Sequence, residues 1–427
     1  MFDRRQFLQT TSAAAMVAST AATVRSSQED PTKRVVVGIM GLSRGLDLAK
    51  DLSAINGVVI KYACETDKQR AAAGAKRITE LGQAPEVVGD FRRILDDKDV
   101  DALICAAPNH WHGPATILGC KAGKHVYVEK PCSHNPAEGE WMIQASEKYK
   151  RCVQMGTQRR SSASIQEAIR KLREGVIGDL HVARANFQRM RGSIGTKQPS
   201  QPPAHLDFDL WQGPAPRRPF RENIIPYNWH WFWHYGNGEL GNNGVHLLDV
   251  CRWGMGVEYP KSVISSGGRY YYEDDQETPD THAVVFEFEG KKQITYQGLS
   301  CTQHPSGPFV MFYGSNGSLE IDGDGGYKIF DAKNKEIENV KAAGGEQRVH
   351  LTNFVDAIRN DDPKRLQQPI LEGHRSTLLC HLGNIAQRTG LPVHCDPKNG
   401  HIQGNAEQQA LWRREYDSKW ENDIVNV

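Results

Sequence analysis

Ala106-Ala-Pro-Asn-His-Trp-His-Gly-Pro-Ala-Thr-Ile-Leu-Gly-Cys-Lys-Ala-Gly-Lys-His-Val-Tyr-Val-Glu-Lys-Pro131 decides the fold. The apolar run Ala102-Leu-Ile-Cys-Ala106 reads as a strand opening into Pro108-Asn109-His110-Trp111-His112. A helical pattern follows from about Pro114 to Lys121 and stops at Gly123. His125-Val-Tyr-Val128 is then a second strand, delivering Glu129-Lys130-Pro131. In sheets built of such strand–helix–strand units, ligands bind in the crevice beyond the carboxyl ends of the strands. Asn109/His110/His112 and Glu129/Lys130 both fall at such ends, so the site is expected there.

Toward the N-terminus the pattern repeats. Arg34-Val-Val-Val-Gly-Ile-Met40 is continuously apolar, as a strand buried on both faces should be. It enters Gly41-Leu42-Ser43-Arg44-Gly45, then a helical stretch from Leu46 to Ile55, then the strand Val58–Cys64 ending on Glu65. A glycine turn opening a helix, with an acid about 20 residues later, outlines a dinucleotide fingerprint. The turn brings backbone N–H groups to the pyrophosphate, and the carboxylate holds the adenosine ribose. Here the middle glycine is Ser43 and the loop is one residue short. The same letters satisfy the hydrolase pattern G-x-S-x-G, but no Asp and His partners follow in a fitting context. Gly41, Ser43, Arg44, Gly45 and Glu65 are therefore assigned to cofactor binding. An acid at Glu65 favours NAD, with NADP as the alternative because Lys68 and Arg70 lie close behind.

Further alternation, through a helix at Lys68–Leu81 to a strand at Cys152–Met155, predicts a doubly wound Rossmann domain over residues 33–155. Beyond it, residues 156–397 read as an α+β substrate and oligomerisation domain. Strands are expected at Leu180–Phe187, Lys261–Tyr272, Thr281–Glu289, Lys292–Ser300, Phe309–Gly314 and Ser318–Ile321, in a mostly antiparallel open sheet. Proline-rich loops fill Arg191–Pro226, helices near Val349–Asn360 and Gly373–Thr389 pack back toward the first domain, and residues 398–427 read as a polar tail.

A formal charge of +1, with 39% hydrophobic and 24% charged residues, offers no field to draw nucleic acid or anionic membrane. Residues 1–28 carry Asp3-Arg4-Arg5-Gln6-Phe7-Leu8-Gln9, like a twin-arginine export motif, then a mild apolar run too short to span a bilayer. The expected location is the periplasm, or export by that route, with no membrane association afterwards. Nine cysteines without a Cys-x-x-Cys pair suit neither a disulfide framework nor a zinc site, and no metal is expected.

Ala107-Pro-Asn-His-Trp-His112, Glu129-Lys130-Pro131, Gln154-Met-Gly-Thr-Gln-Arg-Arg160, Trp211-Gln-Gly-Pro-Ala-Pro216, Gly238-Glu-Leu-Gly241 and Gly373-His-Arg-Ser-Thr377 together resemble the glucose–fructose oxidoreductase / inositol dehydrogenase (Gfo/Idh/MocA) family, especially its exported bacterial members. The resemblance runs from about Val35 to the end. It implies a Rossmann domain followed by an open-sheet domain, homo-oligomers, and sugars, inositols or related polyols as substrates. It also makes Lys130 the catalytic lysine, with a Lys–Pro bond that is often cis in the family and would aim it inward.

Hydride transfer from a secondary alcohol needs a nicotinamide, a base for the hydroxyl proton, and donors for the developing alkoxide. His246 is the expected base. Gly244–Gly254 reads as a helix capped by Asn242 or Asn243, with His246 in its first turn and Asp249 beside it on one face as orienting carboxylate or substrate acceptor. Inositol dehydrogenases usually carry Asp where this chain has Asn242, an amide that can position a hydroxyl but cannot share a proton. Pro108, Asn109, His112, Glu129 and Lys130 are assigned to the nicotinamide side, and Arg159 to the substrate. From Asn228-Trp-His-Trp-Phe-Trp-His-Tyr235, Trp231 is the candidate for stacking on a sugar, an oligomer contact being the alternative. The expected activity is exported, NAD(P)-dependent hydride transfer between a sugar, polyol or glycoside hydroxyl and a tightly bound nicotinamide. The alternative is a glycosidase that oxidises transiently and eliminates.

Overall fold

The computed structural model describes residues 33–304 and 307–427; the expected export signal lies outside the described residues. The first part of the chain alternates β1 (Val35–Met40), α1 (Arg44–Ser53), β2 (Val58–Cys64), α2 (Lys68–Glu80), β3 (Glu86–Val88), α3 (Arg92–Asp96), β4 (Ala102–Cys105), α4 (Asn109–Lys121), β5 (His125–Val128), α5 (Pro136–Tyr149) and β6 (Val153–Met155). All six strands pair in parallel, in the order β3-β2-β1-β4-β5-β6. The winding direction reverses between β1 and β4, and there the carboxyl ends part to leave a crevice.

Beyond this sheet come α6 (Ala163–Arg173), β7 (Leu180–Gln188), α7 (Phe208–Gln212), α8 (Val245–Met255), β8 (Ser262–Gly268), β9 (Thr281–Phe288), β10 (Lys292–Leu299), β11 (Val310–Gly314), β12 (Gly317–Ile321), β13 (Tyr327–Asp331), β14 (Glu336–Val340), α9 (Glu346–Arg359), α10 (Ile370–Thr389), β15 (Val393–His394), α11 (Ala406–Ala410) and α12 (Ser418–Val425). Nine strands form an open sheet, β14-β13-β12-β11-β7-β10-β9-β8-β15, antiparallel except where β7 lies parallel to β10. β9 buries every second residue, the period of a sheet covered on one face. α8 and α10 supply that cover.

The apolar residues of β1 divide between two cores. Val35, Val37 and Ile39 join Leu48 and Leu52 of α1 and Phe354 and Val355 of α9. Val36 and Met40 join the larger core that continues under the second sheet. The α9 helix therefore returns to cover the first sheet, and at about 25 cal/mol per Å² its apolar face helps fasten the two halves.

Two parts of the chain differ from the sequence expectation. Residues 398–427 are not merely a polar tail: Trp420 and Ile424, one helical turn apart, are buried, and the Trp420 ring meets Trp111 edge-on at 5.1 Å. Lys121 Nζ adds bonds to the carbonyls of Asp423 and Asn426. The expected loop region to Pro226 contains α7 and builds, with the segment after it, a third core of Leu206, Phe208, Trp211, Phe220, Trp229 and Tyr235. Backbone bonds from Lys68 to His205 and from Asp207 to Thr66 tie this excursion over the ends of the parallel strands.

Candidate active site

A cavity of about 530 Å³ opens at the switch point. Its inner wall begins at Gly41, whose φ of +91° suits glycine and where a Cβ would lie 2.5 Å from the Ala106 carbonyl. The turn then starts α1 with no side-chain cap at Ser43, so its first N–H groups are left for a ligand, a disposition suited to phosphate. Glu65, at the end of β2, lines the same cavity, its carboxylate accepting from Leu42 N at 3.1 Å and Thr66 N at 2.9 Å. Arg70 lies 3.9 Å from Glu65 and donates to Ser43 Oγ. A glycine approach, an uncapped helix start and a carboxylate beyond the second strand fit a dinucleotide.

Gly45 is a correction. It does not line the cavity; a Cβ there would meet Ile39 at 2.8 Å, so this glycine lets α1 pack on β1. Arg44 lines the cavity and donates to Glu129 at 3.1 Å, an ion pair that keeps the guanidinium firmly charged. Pro108 and Asn109 also face in, and Asn109 donates to Asn237 at 3.0 Å.

The two histidines at the start of α4 behave differently from the expectation. His112 reaches the cavity edge, but its ring nitrogens contact the carbonyls of Pro131 (2.6 Å) and Ala107 (2.7 Å). It clamps the two strand ends together and has no free nitrogen for a cofactor. His110 is fully buried behind the cavity, its Nε2 against the Trp211 carbonyl at 2.9 Å, because the third core needs it there.

Lys130 follows β5, joined to Pro131 by a cis bond, and its Nζ donates to both Asn242 O (2.7 Å) and Asn242 Oδ1 (3.1 Å). An ammonium has three donors, so one remains for a ligand oxygen. Burial lowers the Lys130 pKa. Asn242 lines the cavity, yet its carbonyl groups hold Lys130, so it orients the lysine rather than offering a free acceptor to substrate.

His246 lines the cavity beyond Lys130. Its expected place in the first turn of a capped helix is not found. A π-helical segment, Leu240–Gly244, runs without a side-chain cap directly into α8, so His246 lies inside a continuous helix, away from any N-terminal field. The ring is held neutral by its surroundings: burial, then the Lys130 and Arg159 cations, push its pKa well down. Nδ1 is enclosed without a partner, which leaves Nε2 to meet a ligand.

Three further substrate assignments are corrected. Asp249 does not orient His246; it is fully buried, accepts from Arg160 through two bonds of 2.8 Å, and also from Ser376 and Gln368. Burial opposes its ionisation, but Arg160 holds the carboxyl below its ordinary range. Arg159 stacks on Phe309 at 4.2 Å and donates to the Gly323 carbonyl at 2.6 Å; Gln158, not Arg159, lines the cavity. Trp231 is buried under Arg191, 5.3 Å from its guanidinium, while its neighbours Tyr227, Trp229 and His230 line the cavity. Without the turn geometry of this 3₁₀ segment, one aromatic of the run could not be told from the next.

Sequence reasoning missed the outer wall: Arg189, Arg191, Tyr227, His230 and Asn243. Arg191 pairs with Glu239 at 2.9 Å, and burial, Lys130 and Arg191 push His230 down to about 3. The available signal was Arg189-x-Arg191 just after β7, two cations at alternate positions leaving a strand end.

The fold and cavity define a two-part protein whose first part carries the crevice of a dinucleotide-binding domain, with the candidate site at the strand ends. Residues 33–157 match the oxidoreductase family's NAD-binding Rossmann fold and residues 186–422 its C-terminal alpha/beta domain, so the chain belongs to the Gfo/Idh/MocA oxidoreductase family. A glycosyl hydrolase family 109 protein of Shewanella sp. (strain ANA-3) is 33% identical over 153 residues, 30% of this chain and 34% of that protein. Myo-inositol 2-dehydrogenase of Thermotoga maritima is 26% identical over 256 residues, 59% of this chain and 65% of that one. The chain thus spans only 34% of the length of that glycosyl hydrolase relative. Among solved structures, levoglucosan dehydrogenase in complex with NADH and levoglucosan superposes with a TM-score of 0.67 at 18% identity, covering 85% of this chain and 99% of that chain. The aldose-aldose oxidoreductase of Caulobacter crescentus, complexed with glycerol, gives 0.66 at 18% identity, covering 85% and 100%.

Proposed function

We propose that this protein oxidises a secondary hydroxyl of a sugar or polyol, using NAD held between Gly41–Arg44 and Glu65. The observation that carries the reading is that Lys130 Nζ and the imidazole of His246 face one cavity whose other half suits a dinucleotide. A bound nicotinamide supplies the hydride acceptor. The chain's own part is to take the hydroxyl proton on His246 and to steady the oxygen with the remaining N–H of Lys130. Asn242 fixes the lysine, and Arg191 with Glu239 closes the outer wall. Incubating purified protein with NAD and a panel of sugars and polyols, with products read by mass spectrometry, tests this; no oxidised product from any member would overturn it.

A second reading is transient oxidation followed by elimination of a glycoside. The 33% identity to a glycosyl hydrolase family 109 protein favours it, and the same experiment with glycosides separates the two by scoring hydrolysis without net reduction of cofactor. The Arg4-Arg5 motif supports export with the nucleotide already loaded. A twin-arginine route carries folded proteins, so nucleotide should remain bound through purification and each hydride should leave to a second substrate. Release of nucleotide on denaturing the protein checks this, and nucleotide-free protein from the exported fraction would overturn it. Homo-oligomerisation through the open sheet belongs to the same reading.

A further inference from the structure

A second cavity, of about 380 Å³, shares no lining residue with the first. Arg217, Arg218, Arg388, Arg413 and Arg414 line it, against a single lining acid, Glu415. Three of these arginines have carboxylates beside them: Arg217 meets Asp209 at 2.6 Å, Arg413 meets Glu421 at 2.6 Å, and Arg218 stands 3.8 Å from Glu277. Among the described residues, Arg388 and Arg414 have no carboxylate within ion-pair distance. Arg388 lies over the Trp233 ring at 5.2 Å. Arg414 is only partly exposed, and its bonds go to neutral acceptors: His134 Nδ1 at 3.3 Å, His234 O at 3.0 Å and Glu415 O at 3.2 Å.

The neutral groups around them suit the same occupant. His134 contacts the Trp233 carbonyl through Nε2 and receives Arg414 at Nδ1, which defines a neutral ring. Burial, then Arg414, lowers its pKa, so His134 adds no further positive charge. Asn384 lines the cavity, is 5% exposed, and its enclosed Oδ1 has no partner, an acceptor left for a hydroxyl that reaches it. Glu138 acts on Arg414 and Glu277 on Arg388 only from beyond ion-pair distance, which leaves guanidinium N–H groups whose planar fork matches a carboxylate or a phosphate.

We propose that this cavity binds a small hydroxylated oxyanion, a sugar acid or a phosphorylated sugar, its anionic group held by Arg388 and Arg414 and its hydroxyl by Asn384. The two cavities are joined through one side chain. Asn237 accepts from Asn109 of the first at 3.0 Å, donates to His134 O at 2.9 Å, and its own carbonyl accepts from Asn384 at 2.9 Å. An occupant of the second cavity therefore bears on the residue that positions Asn109.

Calorimetric titration of the full-length protein with sodium phosphate and, separately, sodium gluconate, at constant ionic strength and saturating NAD, tests this. Saturable binding of either is expected, phosphate marking a phosphoryl source and gluconate a carboxylate source. Arg414→Gln should weaken it at least about tenfold, or about 1.4 kcal/mol. Arg388→Gln, at an exposed arginine without an ion pair, should do the same and serves if Arg414→Gln fails to fold. Absence of saturable binding with both anions, or equal affinity in the Arg388→Gln protein, would overturn the proposal.

Discussion

Replacing His246 with alanine tests the division of labour in the cavity. The ring is the one group there whose Nδ1 is enclosed and unpaired among the described residues, so its removal has two opposing effects on stability. Lost packing costs about 1–3 kcal/mol, while deleting an unsatisfied buried nitrogen returns a similar amount. The fold should thus survive with a change within about 2 kcal/mol, read by denaturant unfolding. Turnover should fall about 10²–10⁴-fold, the usual worth of a positioned base, which corresponds to about 3–5 kcal/mol in the barrier. The pH profile adds a second reading. A base must be neutral to accept a proton, and burial, Lys130 and Arg159 all disfavour the imidazolium. The wild-type acid limb of kcat/KM should therefore lie below the ordinary imidazole value of about 6.5. It should disappear in His246→Ala. Retention of kcat/KM within about threefold, or an acid limb that persists unchanged in the variant, would refute the assignment and make Lys130 the base.

Asn242→Asp should place a carboxylate about 3 Å from Lys130 Nζ, an attraction of about 1–5 kcal/mol for effective dielectric constants of 80 to 20, and raise the lysine pKa. The alkaline limb of kcat/KM should move up accordingly; an unmoved limb would mean Lys130 does not titrate in the reaction. Glu65→Gln keeps an acceptor for Leu42 N but removes the charge that repels a 2′-phosphate, so NADP should gain at least about tenfold on NAD in fluorescence titrations. Unchanged preference would put Glu65 away from the ribose. Asp249→Asn should cost about 3–5 kcal/mol by leaving buried Arg160 without its two-bonded carboxylate, Glu372 standing farther off at 3.8 Å, with KM unchanged. The Asp249 pKa is lowered in the fold, so its contribution is present above the ordinary carboxylate pKa and lost as pH falls through the folded value. A raised KM with intact stability would return Asp249 to the substrate site.

Those elements whose physics is local were legible. A short apolar run closed by a glycine turn, such as Val35–Met40, suits an interior parallel strand, and it is buried along its whole length. The glycine turn, Glu65 and Lys130 stand at strand ends, where chain connectivity alone brings them together. Three strands of the second sheet, β13, β14 and β15, were not read: β14 is largely exposed and alternates too weakly to stand out from a loop, and β15 has only two residues.

What the sequence by itself determined was the alternation that builds the parallel sheet, and hence the crevice at which Gly41, Glu65 and Lys130 converge. What only the tertiary structure decided was the partner of each polar side chain. His246 and Asp249 share a helical face by spacing, yet Arg160 and Ser376, from other elements, claim the carboxylate and leave the imidazole to the cavity. His112 and His110 sit two residues apart at the start of α4, and one closes the strand ends while the other packs against the third core. Spacing along one element specifies direction only. A hydrogen bond also needs its second partner, and for these groups that partner arrives from up to 127 residues away.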